Sequence, residues 1–239
     1  MPLPFGKTAE CSVCGEESFQ QELASTNMMG SSDLDGRPPE MMRSTMDTWV
    51  ESCPSCGYCA TDLSEHLDHG GEIVQSPAYR DILERDDIPA LAISFLAASY
   101  LYEFCHEYAR AAAMAQYAAW VLDDIDSTVE SKNARLKAIS MIHLANEHEQ
   151  AFGGSSDEST LITVDLMRRS RLFNQAEAFI EQSSFEGFDV DILELVQYER
   201  QLIANKDSSV HIEPGYTAPE YEVSEYQASE YPASDGFDL

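Results

Sequence analysis

The larger part of the chain carries the apolar periodicity of α-helices. From residue 88 to 206, apolar residues recur at helical spacing, and strand-like alternation is almost absent. Pro89 suits the first turn of a helix. The apolar stripe of that helix consists of Leu91, Phe95, Ala98 and Tyr102. The alanine-rich stretch EYARAAAMAQYAAWVLDDI predicts a second helix. Ser127 and Glu130 form a capping-box pattern that opens a third, so the chain is predicted to be mainly α-helical.

Two helix–turn–helix stretches share one spacing of aromatic and small residues. In LMRRSRLFNQAEAFI, Phe173 lies near the turn and Ala176 three positions later, where the pair can pack two helices together. Tyr108 and Ala111 stand in the same relation in an earlier stretch. This repetition predicts a tetratricopeptide-like array, which the final stretch DVDILELVQYERQLIANKD could cap with its charged face. An ordinary helical bundle is the alternative.

The N-terminal part of the chain repeats a C-x-x-C-G unit. Cys11 and Cys14 belong to CSVCG, and Cys53 and Cys56 belong to CPSCG. Two intervening residues allow one tight turn to aim both sulfurs at a common point, and the following glycine can adopt a positive φ. Two such turns supply four sulfurs at the corners of a tetrahedron, so we expect these cysteines to bind a structural zinc ion that has no open coordination position.

The segment between the two pairs predicts a zinc-ribbon-like β region. There are 38 residues between Cys14 and Cys53, a longer separation than the 15–20 residues common in ribbons. The strands are expected at SFQQELAST and MDTWVES, on either side of SSDLDGRPPEMMRST. That intervening stretch is rich in Ser, Asp, Gly and Pro, and it predicts a long surface loop, whose length adds little closure entropy.

Other roles for the cysteines are weaker. A disulfide is not expected in a chain without an export signal, and neither pair lies between a strand and a helix as a thioredoxin-like redox pair would. Cys59 is close enough in sequence to compete for the metal, and His66 and His69 leave open a mixed Cys and His site.

Two short patterns follow the second cysteine pair. Asp62 and Glu65 form a capping box that predicts a short helix directly after the ribbon. Cys105 lies in an apolar helical pattern and is expected to be buried.

Charge restricts the partners of the protein. The chain has 43 acidic and 14 basic residues, a formal net charge of −29. Such a surface repels phosphate backbones and anionic membranes, so neither nucleic acid nor a membrane is an expected partner. The same excess would also suit a salt-rich cytoplasm.

Targeting signals are absent from the N-terminal stretch MPLPFGKTAE, which has no apolar core of a signal peptide, so a cytoplasmic location is predicted. The apolar stretch at 88–104 contains Ser94, Ser99 and Glu103, and no basic cluster flanks it. A buried core helix is therefore expected there instead of a membrane span.

One stretch carries a family resemblance. DLDGRPPEMMRSTMDTWVESCPSCGYCATDL, preceded by CSVCG and followed by helices, resembles the bacterial family called domain of unknown function 2225. Members of that family look like a Cys-rich ribbon fused to helices similar to tetratricopeptide repeats. The likeness reaches to about residue 206 and is most specific between residues 33 and 62, while Cys59 and the acidic tail depart from it. The resemblance implies that fold and brings no activity with it.

These patterns predict three regions. They are a zinc-ribbon-like region at 1–62, a helical tetratricopeptide-like domain at 63–207, and an acidic disordered tail at 208–239, where EYEVS, EYQAS and EYPAS repeat. We expect a non-enzymatic adaptor or scaffold that binds a protein or peptide. The alternative is a thiol redox or metal-dependent enzyme that uses the C-x-x-C pairs. Basic Arg168, Arg169 and Arg171 are expected at a solvated helix end, or else to bind an acidic group.

Overall fold

The computed structural model describes residues 3–214 and is mainly helical, with 52% helix and a small N-terminal antiparallel sheet, as predicted. The strands are β1 (Leu3–Glu10), β2 (Glu17–Ser25), β3 (Glu51–Ser52) and β4 (Cys59–Ala60), and a 3-10 helix covers Arg43–Thr48. The α-helices are α1 (Gly70–Gln75), α2 (Pro77–Leu83), α3 (Ala90–Phe104), α4 (Tyr108–Asp123), α5 (Thr128–Glu147), α6 (Ser156–Arg169), α7 (Phe173–Gln182) and α8 (Val190–Ala204). The tetratricopeptide-like arrangement of these helices stays a prediction.

The N-terminal strands form two short hairpins. β1 pairs with β2 from Glu10 opposite Glu17 to Leu3 opposite Ser25, and β3 pairs with β4. The predicted strand SFQQELAST is therefore largely β2, whereas MDTWVES begins in the 3-10 helix and only its last two residues form a strand, β3. Local hydrogen bonds explain this difference, because the Thr45 hydroxyl donates to the Met42 carbonyl oxygen and accepts from Trp49 Nε1.

The longer helices end in a common way. A residue two or three positions after the end of α3, α4, α5, α6 and α8 has a positive φ of 55–61°; these residues are His106, Asp126, Glu149, Arg171 and Lys206. After α3, for example, the backbone N–H of His106 donates to Glu103 and that of Glu107 donates to Tyr102. This pair of hydrogen bonds is the Schellman motif, which usually has glycine at the position with left-handed backbone conformation. None of the five is glycine, so the sequence gives only a weak signal for these ends.

A shared core joins the N-terminal hairpins to the helices. Buried Cys53, Tyr58 and Leu63 belong to the same hydrophobic cluster as the inner faces of α3, α4 and α5. Five alanines of α4 are fully buried, which permits a close approach of the neighbouring helices; they are Ala111, Ala112, Ala115, Ala118 and Ala119. A smaller cluster lies among α6, α7 and α8. Within residues 3–214, no helix combines the length and apolar character that crossing a bilayer requires.

The segment between the cysteine pairs differs from the predicted surface loop. Residues 31–39, called the inserted loop below, contact the helices, and Asp33, Leu34, Asp35 and Arg37 are buried. Leu34 belongs to the cluster of α6, α7 and α8. The Asp35 carboxylate accepts hydrogen bonds from Trp120 Nε1 and Arg169, each at 2.7 Å. The loop is therefore part of the interior, because its one leucine and its acidic groups have partners on the helices.

Two of the three clustered arginines also differ from their predicted position at a solvated helix end. Arg168 is completely buried and pairs with Asp165 and Glu199. Arg169 has an 8% exposed side chain and pairs with Asp35 and Asp123. Both arginines bind acidic groups of the chain itself, and Arg171 alone is exposed at the turn.

The end of the described chain packs against the helices. Arg168 donates to the carbonyl oxygens of Asp207 and Ser209. The backbone of residues 211–213 pairs with the inserted loop, where the Leu34 N–H donates to the His211 carbonyl and the Glu213 N–H donates to Ser32. Residues 208–214, assigned to the tail from the sequence, thus make ordered contacts. The repeats of the acidic tail lie outside the described residues, and the three-region division stays a prediction.

Candidate metal centre and helical cleft

Four thiols converge at the ends of the two hairpins. The ligand atoms of Cys11, Cys14, Cys53 and Cys56 all lie within 4.8 Å of one another. The Sγ atoms of Cys11 and Cys56 are 3.7 Å apart, and those of Cys14 and Cys53 are 3.6 Å apart. These are the four cysteines that the C-x-x-C repetition selects.

The spacing of the sulfurs fits a metal ion and excludes a disulfide. Four sulfurs at about 2.3 Å from zinc occupy tetrahedron corners that are roughly 3.8 Å apart. The separations of 3.6 and 3.7 Å lie close to that edge length. A disulfide would need sulfurs about 2.05 Å apart, and all four cysteines are free. The donor set of four thiols suits a soft or borderline cation such as Zn²⁺.

The two C-x-x-C turns have the same backbone geometry. In the first, the Gly15 N–H donates to the Cys11 carbonyl at 2.8 Å; in the second, the Gly57 N–H donates to Cys53 at 2.9 Å. The two glycines have φ of 74° and 78°, a region that other residues enter only with strain. Each turn thereby points two sulfurs to the same side, as the glycine after each pair predicts.

The four thiols differ in burial, and their pKa values differ accordingly. Burial raises the pKa of Cys11 and that of Cys56. Cys14 is exposed, and its pKa is lowered to about 7, chiefly because the Glu16 backbone N–H donates to its sulfur. Metal ligation requires thiolates and therefore releases protons from the buried cysteines. A cation at the centre would offset the cost of burying these thiolates.

The other candidate ligands lie outside the cluster. Cys59 is buried and contacts the Ser52 hydroxyl at 3.3 Å. Cys105 is half-buried and donates to the Asp68 carbonyl oxygen. His66 and His69 are exposed, and neither belongs to the group of convergent ligand atoms among residues 3–214. The convergent group therefore consists of four cysteines.

The second turn is held by the helices, whereas the first is at the surface. The Tyr79 hydroxyl donates to the Gly57 carbonyl and accepts from the Cys59 N–H. A Cβ atom at Gly57 would lie 2.5 Å from Leu83 Cδ1 of α2, whereas one at Gly15 would have 3.9 Å of space to Glu10. The helical part therefore fixes the position of one half of the metal centre.

A cleft of about 520 Å³ lies where the inserted loop meets α4 and α6. Asp35 and Gly36 line it from the loop, and Gln116, Tyr117 and Trp120 line it from α4. Two further depressions adjoin it. One shares Glu158 and Ile192 with the cleft, and the other shares Ser32 and Glu213. The three depressions are therefore neighbours on the surface of the protein.

Comparison of the chain with family models, with curated proteins and with solved structures finds no match. The resemblance to the family of unknown function therefore stays a resemblance, and the site has to be interpreted from its own geometry.

The sequence does not reveal the cleft. Trp120 and Asp35 are 85 positions apart, and Arg169 and Asp35 are 134 positions apart. No local pattern predicts contacts at such separations. The available signal was the acidic DLDGRPP stretch itself, whose leucine and charges needed partners if the stretch was to be buried.

Proposed function

We propose that this protein is a non-enzymatic, cytoplasmic protein-interaction module, an adaptor or scaffold, with a structural zinc ion at Cys11, Cys14, Cys53 and Cys56. Four thiolates fill a tetrahedral zinc shell and leave no position for a water molecule or a substrate. A metal held in this way contributes to folding and not to chemistry. A partner protein would then have to bind at another surface of the molecule.

The observation that carries the binding role is the cleft with its two adjoining depressions. An extended peptide needs a groove of this kind, in which side chains enter successive pockets while the backbone follows the surface. The wall from α4 presents aromatic Tyr117 and Trp120 together with the polar Gln116. Ligand sites commonly combine apolar walls with a few such polar groups.

The metal centre and the cleft are linked by the chain between the two cysteine pairs. Residues 15–52 begin after one ligand and end before another, and the inserted loop lies between them. Zinc would tie both ends of this segment together, which restricts the conformations open to it when the metal is bound. On this account, the metal holds one wall of the cleft in place.

Thiol redox chemistry is the second candidate, and the exposed Cys14 with its lowered pKa is the observation in its favour. A closed zinc shell would make that thiolate a ligand and not a nucleophile. Metal loading of the native protein therefore distinguishes the two functions.

Peptide selection tests the interaction role. A library of random twelve-residue peptides displayed on phage would be selected against the full zinc-loaded chain, and the enriched peptides would be synthesised. We expect saturable binding that Ala113→Leu weakens, because Ala113 lines the cleft on α4. Ala204→Leu is the matched control at an exposed helix position. Failure to enrich any peptide, or equal binding by both variants, would contradict the proposed function.

A further inference from the structure

Two acidic groups of the cleft differ from the buried acidic groups of the protein, each of which pairs with a lysine or an arginine. Glu158 and Glu213 both line the cleft. Neither makes a salt bridge with a lysine, arginine or histidine within residues 3–214, although Glu158 accepts a hydrogen bond from the Gly154 N–H. Glu213 is half-buried, and burial, reinforced by the nearby charge of Glu158, raises its pKa. Two carboxylates without a described cation therefore share one cavity.

The basic group that lines the cleft does not neutralise them. Arg110 donates to Glu65 through both terminal nitrogens, at 2.7 and 2.5 Å, and also to Thr61. Its guanidinium lies over the Tyr102 ring, 4.0 Å from the centroid. Since one carboxylate already binds this arginine in a bidentate pair, its charge is compensated before any ligand arrives.

Gln116 adds an amide acceptor to the same cavity. Gln116 lines the cleft and is 4% exposed. Its Nε2 donates to the Asp35 carbonyl oxygen at 2.6 Å, which orients the amide and leaves Oε1 as the free acceptor. No donor to Oε1 occurs in the part of the chain that the structure describes. This amide oxygen can accept a hydrogen bond from a ligand that brings N–H groups into the cleft.

The walls of the cavity suit the body of a basic side chain. Tyr117 and Trp120 from α4 and Phe152 from the α5–α6 connection line it. The faces of aromatic rings attract ammonium and guanidinium groups, and the methylene groups of lysine and arginine pack on apolar surface. The cavity therefore combines aromatic walls with acceptors, which is the complement of a long cationic side chain.

We propose that the cleft binds a basic segment of a partner protein, with a lysine or arginine side chain inserted between the aromatic wall and the acceptors Gln116, Glu158 and Glu213. This inference rests on the proposed interaction function and specifies the chemistry of its partner. Arginine has five donors in a fixed plane and fits several acceptors at once. The net charge of −29 would also attract a basic segment from solution.

The test uses peptides selected with the full zinc-loaded chain and compares each with a version in which one lysine or arginine is replaced by glutamine. We expect the replacement at one position to weaken binding about tenfold or more. On the protein, the double variant Glu158→Gln with Glu213→Gln should weaken binding by a similar factor. The matched control is Glu177→Gln with Glu181→Gln, which removes two exposed acidic groups of α7 outside the cleft and should change binding less than twofold.

Each other outcome overturns the inference in a distinguishable way. Peptides that bind equally well after the glutamine replacement would show that the cleft does not select a cation, while the interaction function would stand. Equal weakening by both double variants would assign the binding to the general negative charge of the chain. A selection that enriches no peptide would remove the interaction function together with this inference.

Discussion

The four-cysteine cluster and the helical part both bring acidic groups together, but the cation that we propose for the first comes from solution, whereas that of the second is a side chain of the protein. At the hairpins, the sulfur atoms of four thiols lie within 4.8 Å of one another. Among the helices, the buried carboxyl groups of Asp165 and Glu199 meet the fully buried Arg168. On the proposed function, the first cluster takes an ion from solution, whereas the second has its counter-charge in the side chain of Arg168.

This difference determines what each region responds to. A site that depends on a bound ion is sensitive to chelators and to loss of a ligand. A site with an internal arginine is sensitive to substitution of that arginine and to pH. The cleft is a third arrangement, in which Glu158 and Glu213 meet no cation among residues 3–214 and a partner would supply one.

The largest expected loss of stability follows from removing a ligand of the proposed zinc ion. Cys56→Ser removes one of four ligands, so we expect the protein to lose its zinc and the N-terminal hairpins to unfold. The free energy of unfolding should fall by more than about 5 kcal/mol, measured by denaturant unfolding together with hydrogen exchange. Cys105→Ser is the control, since Cys105 lies outside the cluster; equal metal content in both variants would sink the assignment.

Substitution of the internal cation should have the next largest effect. Arg168→Met leaves Asp165 and Glu199 buried without their partner and removes the bonds to the backbone of residues 207 and 209. We expect a loss of roughly 3–5 kcal/mol in the free energy of unfolding, with zinc content unchanged. The exposed Lys132→Met makes the same charge change on a helix surface. A similar stability for the two variants would mean that the buried cluster needs no cation.

The buried cluster should also respond to pH. Burial, together with the charge of Asp165, raises the pKa of Glu199 to about 9 from its ordinary 4.5. The folded protein then binds more protons than the unfolded chain between these values, so stability is lost as the pH rises through this range, by at most about 1.4 kcal/mol per pH unit. Glu199→Gln should flatten this dependence in the zinc-loaded protein.

The control for this pH experiment is Glu194→Gln, which changes an exposed glutamate on the same helix. Its stability measured by denaturant unfolding between pH 6 and 9 should follow that of the unmodified chain. The same slope in Glu199→Gln as in the control would show that Glu199 does not titrate in this range.

The smallest expected effect is a difference in stability between alanine variants of the two C-x-x-C turns. Alanine at either Gly15 or Gly57 pays about 1–2 kcal/mol for a positive φ. At Gly57 the new methyl group would also meet Leu83, so Gly57→Ala should lose a further 1–3 kcal/mol, roughly the cost of overpacking. Thermal unfolding of the two zinc-loaded variants measures the difference. Equal losses would indicate that α2 does not hold the second turn.

Local sequence patterns were sufficient to predict which four cysteines converge and where most helices lie. The two C-x-x-C-G units are short-range features, and each forms its turn with bonds inside the unit. The helix after Ser127 begins where the capping-box pattern places it, although the Ser127 side chain makes no capping bond. The capping box at Asp62 is wrong, because Asp62 accepts from Ser64 and the first helix begins at Gly70.

The buried charges and the cleft depend on contacts that no short window contains. The inserted loop has the composition of an exposed loop, yet Asp35 finds Trp120 and Arg169 on two different helices. Likewise, Arg168 meets Glu199 across 31 positions. Composition records only that such groups are polar, and tertiary packing decides whether they face water or each other.

The most direct test of the account is the zinc content of the folded chain, purified under reducing conditions without chelator, with reactive thiols titrated on the same sample. We predict one zinc ion per chain, protection of Cys11, Cys14, Cys53 and Cys56, and reaction of the half-buried Cys105. Addition of a chelator should then expose the four ligands and unfold the hairpins. A folded chain that holds no metal and reacts at all four cysteines would contradict the structural zinc site.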